Sequence, residues 1–212
     1  MHIKAVSITA KTIACTARAL AEGEVVAFPT ETVYGLGVDA TRESAVQALR
    51  VLKEREADKP LQVMCRDIVQ AEEYGVFSQV AKQLAQHFLP GPLTLIVQKK
   101  EESAIASGVT PGGDTIGIRI PDHSVVQELL HAFGKPIAAS SANHAGEAVA
   151  TSGQEVTTLF GERVAVILDA ALPEGAPPST VVDCTGEAIR ILRAGTISKA
   201  EILRCSLAMF RR

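Results

Sequence analysis

The sequence predicts one α/β domain, α+β in stricter schemes: a single layered unit with a twisted mixed β-sheet flanked by helices. Three observations carry that prediction. Short β-branched runs alternate with amphipathic helical segments along the 212 residues, without a repeat or a low-complexity linker. The return from Cys184 to Ala188 leaves no room for a crossover helix, so it reads as a hairpin and the sheet cannot be all parallel. Hydrophobic residues make up 47% of the chain, aromatics only 4%, and Trp is absent, so a large core rests on Val, Ile, Leu and Ala. The span 1–212 is therefore read as one domain, and in such sheets ligands sit in a crevice at strand ends.

The elements follow in order. Residues 9–21 carry Ile13, Ala14, Ala17, Leu20 and Ala21 at helical spacing, and Gly23 suits the C-terminal cap. A strand over 24–28 stops at Pro29, and a second runs over 36–40. The helix over 42–52 carries apolar Ala45, Val46, Ala48, Leu49 and Leu52. Pro60 biases Lys59 away from helical dihedrals, so this helix ends near Lys53 and a cationic loop follows. Next come a strand over 61–65, helices over 68–74 and 78–88, and a break at Pro90-Gly91-Pro92. Strands over 93–97 and 115–120 flank a polar, Gly-rich stretch that reads as a mobile loop, its 103–114 part a lid. A helix over 124–133, a strand over 135–139, a helix over 153–160 and a strand over 164–168 lead to a loop over 173–178. Strands over 180–184 and 188–192 and a helix over 199–210 finish the chain.

Several strand-end loops carry polar groups. Phe28-Pro29-Thr30-Glu31-Thr32-Val33-Tyr34-Gly35 places two hydroxyls, a carboxylate and a phenol between two strands. Lys53, Arg55 and Lys59 stand within a few residues and can converge on one anion, or be a solvated helix end with local ion pairs. Arg119 interrupts the run Ile116, Ile118, Ile120, and alternation leaves it facing either solvent or a cleft. Ser140-Ser141-Ala142-Asn143 sits at a strand mouth, where it can cap a helix or donate to phosphate or sugar oxygens. Pro177-Pro178-Ser179-Thr180 and Arg193-Ala194-Gly195 complete the set. There is no Walker A loop, no dinucleotide glycine fingerprint and no Gly-x-Ser-x-Gly elbow. Read alone, these loops suit a phosphate-bearing ligand.

The totals bound the partners. Net charge is −3, so any phosphate or nucleic-acid contact must come from a local patch. The four cysteines form no CxxC pair and no metal-ligand spacing with His, which fits reduced thiols in a cytoplasmic protein. No apolar run approaches about 18 residues, so no membrane partner is expected.

Five motifs in order resemble a known family: the Phe28–Gly37 stretch, Pro90-Gly91-Pro92-Leu93-Thr94, Ser141-Ala142-Asn143, Ser179-Thr180-Val181-Val182-Asp183 and Leu192-Arg193-Ala194-Gly195. Over about residues 8–198 the chain is similar to the YrdC-like threonylcarbamoyl-AMP synthases. The resemblance implies a twisted mixed sheet with a deep basic cavity. It implies L-threonine, bicarbonate and ATP as substrates, with Mg2+ delivered by ATP and no protein-held metal. The product would serve N6-threonylcarbamoyladenosine in tRNA, with tRNA and the downstream threonylcarbamoyl transferase machinery as partners. By resemblance, Lys53 and Arg55 are catalytic. Lys53, Arg55, Lys59, Thr115, Ser141, Asn143 and Arg193 bind the nucleotide. Thr32, Arg119 and Ser179 bind threonine.

The chain departs from the pattern in places. Glu56 follows Arg55 where many relatives have Pro, Ser140 replaces Pro or Thr, and Met64 stands where some relatives have His. Met cannot donate a hydrogen bond to threonine, but it offers an apolar contact to the substrate methyl. The chain reads as the short form, without the extra C-terminal domain of longer relatives. Two other outcomes stay open at this point: an RNA-binding module of the same fold, and a paralogue without synthase activity.

Overall fold

The computed structural model describes residues 5–56, 58–170, 172 and 177–207. The described elements are β1 (Val6–Ser7), α1 (Ala10–Glu22), β2 (Val26–Phe28), β3 (Gly35–Asp39), α2 (Glu43–Leu52) and β4 (Gln62–Met64), followed by α3 (Ile68–Tyr74), β5 (Gly75–Val76), α4 (Gln79–Phe88), β6 (Leu93–Lys99) and β7 (Thr115–Arg119). Then come α5 (Ser124–Phe133), β8 (Ile137–Ser141), α6 (Gly153–Phe160), β9 (Val166–Asp169), β10 (Thr180–Asp183), β11 (Arg190–Arg193) and α7 (Lys199–Leu207). Local chemistry sets the boundaries where it was legible. Thr9 and Thr12 close a capping box at the start of α1, and Gly23 ends it at φ 90°. β1 and β5 have two residues each, too few to leave a pattern in the sequence. Most of the loop over 173–178, and the residues after Leu207, lie outside the described residues.

The strands form one mixed sheet in the order β1-β9-β2-β3-β8-β4-β7-β6-β10-β11, with β5 beside β6. β4 runs parallel to β7 and antiparallel to β8, and the expected hairpin is the antiparallel pair β10 and β11. Alternation along the strands splits the side chains between two faces. One face, with Leu36, Val63, Leu95 and Ile118, packs on Val46 and Leu49 of α2, Leu84 of α4 and Ile202 of α7. The other face, with Val26, Phe28, Met64 and Ile137, is covered by α1 and α5 through Leu20 and Leu129. Beyond the reach of these two helices, that second face lines a cavity.

The stretch 103–114 is not a lid. Ile105, Ala106, Gly108, Val109 and Thr110 are buried, and a 3₁₀ turn spans Ser107–Val109. Ala106 N–H donates to Ala40 O at 2.9 Å, Leu61 N–H donates to Val109 O at 2.8 Å, and Glu43 accepts from Ser107 Oγ and Gly108 N at 3.0 Å each. Exposing Ile105 and Val109 together would cost about 3–6 kcal/mol, roughly a hundredfold or more against opening. The Gly-rich composition reflects the exposed tip at Gly112 and Gly113; the apolar residues before it dock on the core.

Candidate active site

The cavity encloses about 450 Å³ on the second face of the sheet. Its floor is made of alternate residues: Gln62 and Met64 of β4, Thr94 and Ile96 of β6, Thr115, Gly117 and Arg119 of β7, and Val181 of β10. Registers place these side by side, with Gln62 beside Gly117, Met64 beside Arg119 and Ile96 beside Gly117. Gly117 leaves room on the floor: a Cβ there would make ordinary contacts with Thr94 Cγ2 at 3.4 Å and Ile96 Cγ1 at 3.9 Å. The walls come from Thr30, Thr32 and Gly35, from Arg55 and Pro60, from Ser140 and Ser141, and from Pro178, Ser179 and Arg193. Gly195 brings the last wall in. Its Cα lies so close to the strand entry that a Cβ would sit 2.2 Å from Pro178 O.

One end of the cavity is built around Arg119. Alternation points it to the cavity face, where it is 3% exposed. Its Nη2 donates to Thr32 Oγ1 at 3.0 Å and pairs with Glu31 Oε1 at 2.8 Å. Thr32 Oγ1 also lies 2.9 Å from Thr30 Oγ1. Arg119 Nε and Glu31 Oε2 are buried without partners among the described residues. Arg193 donates from Nη2 to Ser179 O at 2.9 Å and to Ser179 Oγ at 2.8 Å. Burial and the nearby Arg119 hold the Arg193 guanidinium below its ordinary value. A buried arginine with orphan donor capacity, beside a second arginine and two hydroxyls, is a receptor for a carboxylate or similar anion.

The other end is organised from α2. The helix ends at Leu52, Glu54 adopts φ 48°, and the chain turns out of the helix there. Arg50, buried in the last turn, donates to the carbonyls of Glu56 at 2.6 Å, Lys59 at 2.9 Å and Gly108 at 3.2 Å. This arginine shapes the cationic loop and passed unnoticed in the sequence, where it reads as one more charged position on a helix. Arg55 lines the cavity, with Nε on Lys59 O at 3.2 Å. Burial, then Arg50, lowers its pKa.

The ten predicted site residues separate into two groups. Arg55, Thr115, Ser141, Arg193, Thr32, Arg119 and Ser179 line the one cavity. Lys53, Lys59 and Asn143 do not. Lys53 is 5% exposed and turns its ammonium to Ser141 O at 2.8 Å, Asn143 Oδ1 at 3.0 Å and Asn143 O. Burial, then the charge of Arg55, lowers its pKa to about 8. It holds the turn behind Ser141 because helix-end geometry aims it at those oxygens. Asn143 serves the same turn, accepting from Ser141 Oγ at 2.7 Å and donating to Glu147 O at 2.8 Å. Lys59 points outward and pairs with Glu56 at 2.7 Å, so the expected three-cation convergence reduces here to Arg55 on the wall with Lys53 behind it. Tyr34 is also structural. Its hydroxyl donates to Ala170 O at 2.9 Å and accepts from Ala170 N at 3.0 Å, and burial pushes its pKa up to about 12.

Gln62, Thr94 and Thr30 line the cavity and were not among the predicted site residues. The first two had a signal: each is a polar residue inside an otherwise apolar strand. Among the described residues no group of three or more His, Cys, Asp or Glu could hold a metal, and no carboxylate lines the cavity. The four cysteines are free, and burial raises the Cys65 and Cys184 thiols above their ordinary range. No described helix is long and apolar enough to cross a membrane.

Residues 18–195 match the Sua5_yciO_yrdC family model, described as "Telomere recombination". The chain belongs to this family. It is 42% identical over 191 residues to a threonylcarbamoyl-AMP synthase of Bacillus subtilis, an alignment that covers 90% of this chain and 55% of that protein. It is 36% identical over 182 residues to a threonylcarbamoyl-AMP synthase of Vibrio vulnificus, covering 84% of this chain and 95% of that one. The chain thus spans about half the length of the first relative and nearly all of the second. Its fold matches P. abyssi Sua5 complexed with L-threonine at a TM-score of 0.90 and 36% identity, over 96% of this chain and 60% of that one. The mixed sheet flanked by helices is the family's fold.

Proposed function

We propose that this chain is an L-threonylcarbamoyladenylate synthase, a nucleotidyltransferase that makes threonylcarbamoyl-AMP and pyrophosphate from L-threonine, bicarbonate and ATP. The observation that carries the reading is a cavity with an anion receptor at each end: Arg119 with Thr32 at one, Arg55 with Thr115 and Ser141 at the other. Thr115 and Arg119 are four residues apart on β7, about 13 Å at a strand's rise. That span suits an amino acid and an α-phosphate held in line. The names of similar proteins, and the L-threonine complex of P. abyssi Sua5, support threonine as the amino acid.

The chemistry needs charge neutralisation and alignment. The threonine amino group adds to the bicarbonate carbon and water leaves, giving a carbamate. A carbamate oxygen then attacks the α-phosphorus, and the bond to pyrophosphate breaks. Every reactant is anionic or becomes so, and fixed cations lower the repulsion; holding three small reactants together replaces an improbable encounter. In this reading Arg119 takes the threonine carboxylate, and Thr32 and Ser179 face its hydroxyl. Met64, 4% exposed on the cavity floor, meets its methyl. Arg55, Thr115 and Ser141 take the nucleotide, and Lys53 and Asn143 hold the Ser141 turn behind it; Arg193, expected on the nucleotide, stands beside Arg119 and holds Ser179. Lys59 reaches phosphate only by leaving Glu56. The cavity walls carry no carboxylates to hold a metal, so magnesium is written as cargo on the triphosphate. The product would serve N6-threonylcarbamoyladenosine formation on tRNA in the cytoplasm, passed on to a threonylcarbamoyl transferase.

The test is pyrophosphate release by the purified chain, with each substrate omitted in turn and with serine or valine in place of threonine. Release should require ATP, bicarbonate and the amino acid together. Serine lacks one methyl and should be rejected modestly, by about 1–3 kcal/mol. Valine leaves buried hydroxyl partners unpaired and should be rejected much more strongly. Valine turning over as well as serine would remove Thr32 and Ser179 from the amino-acid site.

A further inference from the structure

We propose that Gln62 is a specificity-determining donor that holds the carboxylate-like oxygen of bicarbonate and of the carbamate formed from it. Four observations lead there. Gln62 lies on the cavity floor at the level of Gly117, two residues from Arg119 and two from Thr115 along β7. That level is midway between the two anion receptors. With threonine held at Arg119 and the nucleotide at Arg55 and Thr115, the reacting carbon falls between them. The inference rests on that reading of the cavity.

The second observation is the orientation of the carboxamide, whose oxygen faces Thr94 at the end of a chain of hydrogen bonds. Arg193 can only donate, and its Nη2 gives a proton to Ser179 Oγ at 2.8 Å. Thr94 Oγ1 has one proton and gives it to Gln62 Oε1 at 3.3 Å, so across its 3.1 Å contact with Ser179 Oγ it accepts and Ser179 donates. The oxygen of the carboxamide is turned to Thr94, and the NH₂ group is the end of the wire. Because the wire starts at a cation, each link is polarised toward donation.

Third, Gln62 Nε2 is buried and has no partner among the described residues. An unpaired buried donor is unfavourable, and the long 3.3 Å link to Thr94 holds the amide loosely enough to tilt about its oxygen. A tilt toward the cavity presents Nε2 to an acceptor oxygen there. Fourth, Gly117 puts no side chain of its own beside Gln62, so the carboxamide can lie across β7 toward Thr94. An acceptor with negative charge is the chemistry that suits this donor, and bicarbonate and carbamate are the two such species at that position.

The experiment measures steady-state pyrophosphate release with Gln62→Leu, Gln62→Met and Gln62→Glu, varying bicarbonate, threonine and ATP separately. Loss of one hydrogen bond to a charged acceptor should raise the bicarbonate KM roughly ten- to a hundredfold in the Leu and Met variants. Nucleotide affinity measured without bicarbonate should stay within about twofold of the parent. Gln62→Glu should be the weakest at neutral pH, since it sets an acceptor and a negative charge against the carbamate. Relative to the parent it should recover as pH falls and its carboxyl becomes a donor, which a purely structural role would not produce. Met keeps an unbranched side chain of similar length, so a fold defect confined to the Leu variant leaves the test standing. Wild-type bicarbonate KM in Gln62→Met overturns this inference alone. A parent chain that turns over none of the three substrates overturns the synthase reading, and this inference with it.

Discussion

Arg55 and Lys53 stand two residues apart and act on different objects. Arg55 is on the cavity wall, so Arg55→Ala should remove a charge-assisted phosphate contact of about 1.5–3 kcal/mol and cut kcat/KM for ATP by roughly ten- to a hundredfold. Lys53 holds the carbonyls of Ser141 and Asn143 from behind. Lys53→Ala should therefore also speed hydrogen exchange over residues 141–147 without any ligand, while Arg55→Ala leaves exchange there unchanged. Equal exchange in both variants would mean that Lys53 does not order the turn. Lys53 also gives a pH signature. Its folded pKa is about 8 against an ordinary 10.5, so between those values the unfolded chain binds more protons than the folded one. Stability contributed by this group therefore rises with pH across that window. Denaturant unfolding of the parent and Lys53→Met over the same range should show the rise in the parent and its loss in the variant.

At the scale of elements, the stretch between β6 and β7 is the instructive case. Polarity and glycine content suggested closure over the site, yet three apolar side chains, Ile105, Ala106 and Val109, settle under it. The consequence is measurable: amides of Ala106 and Val109 should be protected from exchange to the same degree with and without ATP plus threonine. Faster exchange in the ligand-free protein would restore the lid. The same scale explains why α2 ends where it does. Its boundary near Lys53 was legible from Pro60 and the spacing of charges. The role of Arg50 was not, because it depends on three carbonyls brought from the loop and from Gly108.

For the whole molecule, charge decides between the synthase reading and a broad RNA surface. Lys and Arg number 21 against 24 Asp and Glu, and three of the arginines, Arg55, Arg119 and Arg193, are spent on one concave site. Phosphate attraction is therefore local, and a surface that neutralises many backbone phosphates is not available by net field. Anisotropy titration with tRNA at physiological salt should show at most weak, strongly salt-dependent binding, with Kd no tighter than about 10⁻⁶ M. Tight, saturable binding with little salt dependence would favour an RNA-recognition function.

The sequence by itself determined the α/β class, the order of the principal helices and strands, the end of α2, and the motifs by which the family is known. These are local properties: apolar period, caps, proline breaks and short runs of residue types, each written within a few positions. It also held seven residues that meet in the cavity, though it could not say that they meet. Which face of β7 carries Arg119 was open, because alternation defines two faces and only the packing of α2 and α4 on one of them assigns the other. The outward turn of Lys59, the inward turn of Lys53 and the wire from Arg193 through Ser179 and Thr94 to Gln62 were decided by tertiary structure. The last two depend on partners far away in the chain, brought together by strand pairing and by the close approach that Gly195 permits, whereas Lys59 turns out to its near neighbour Glu56.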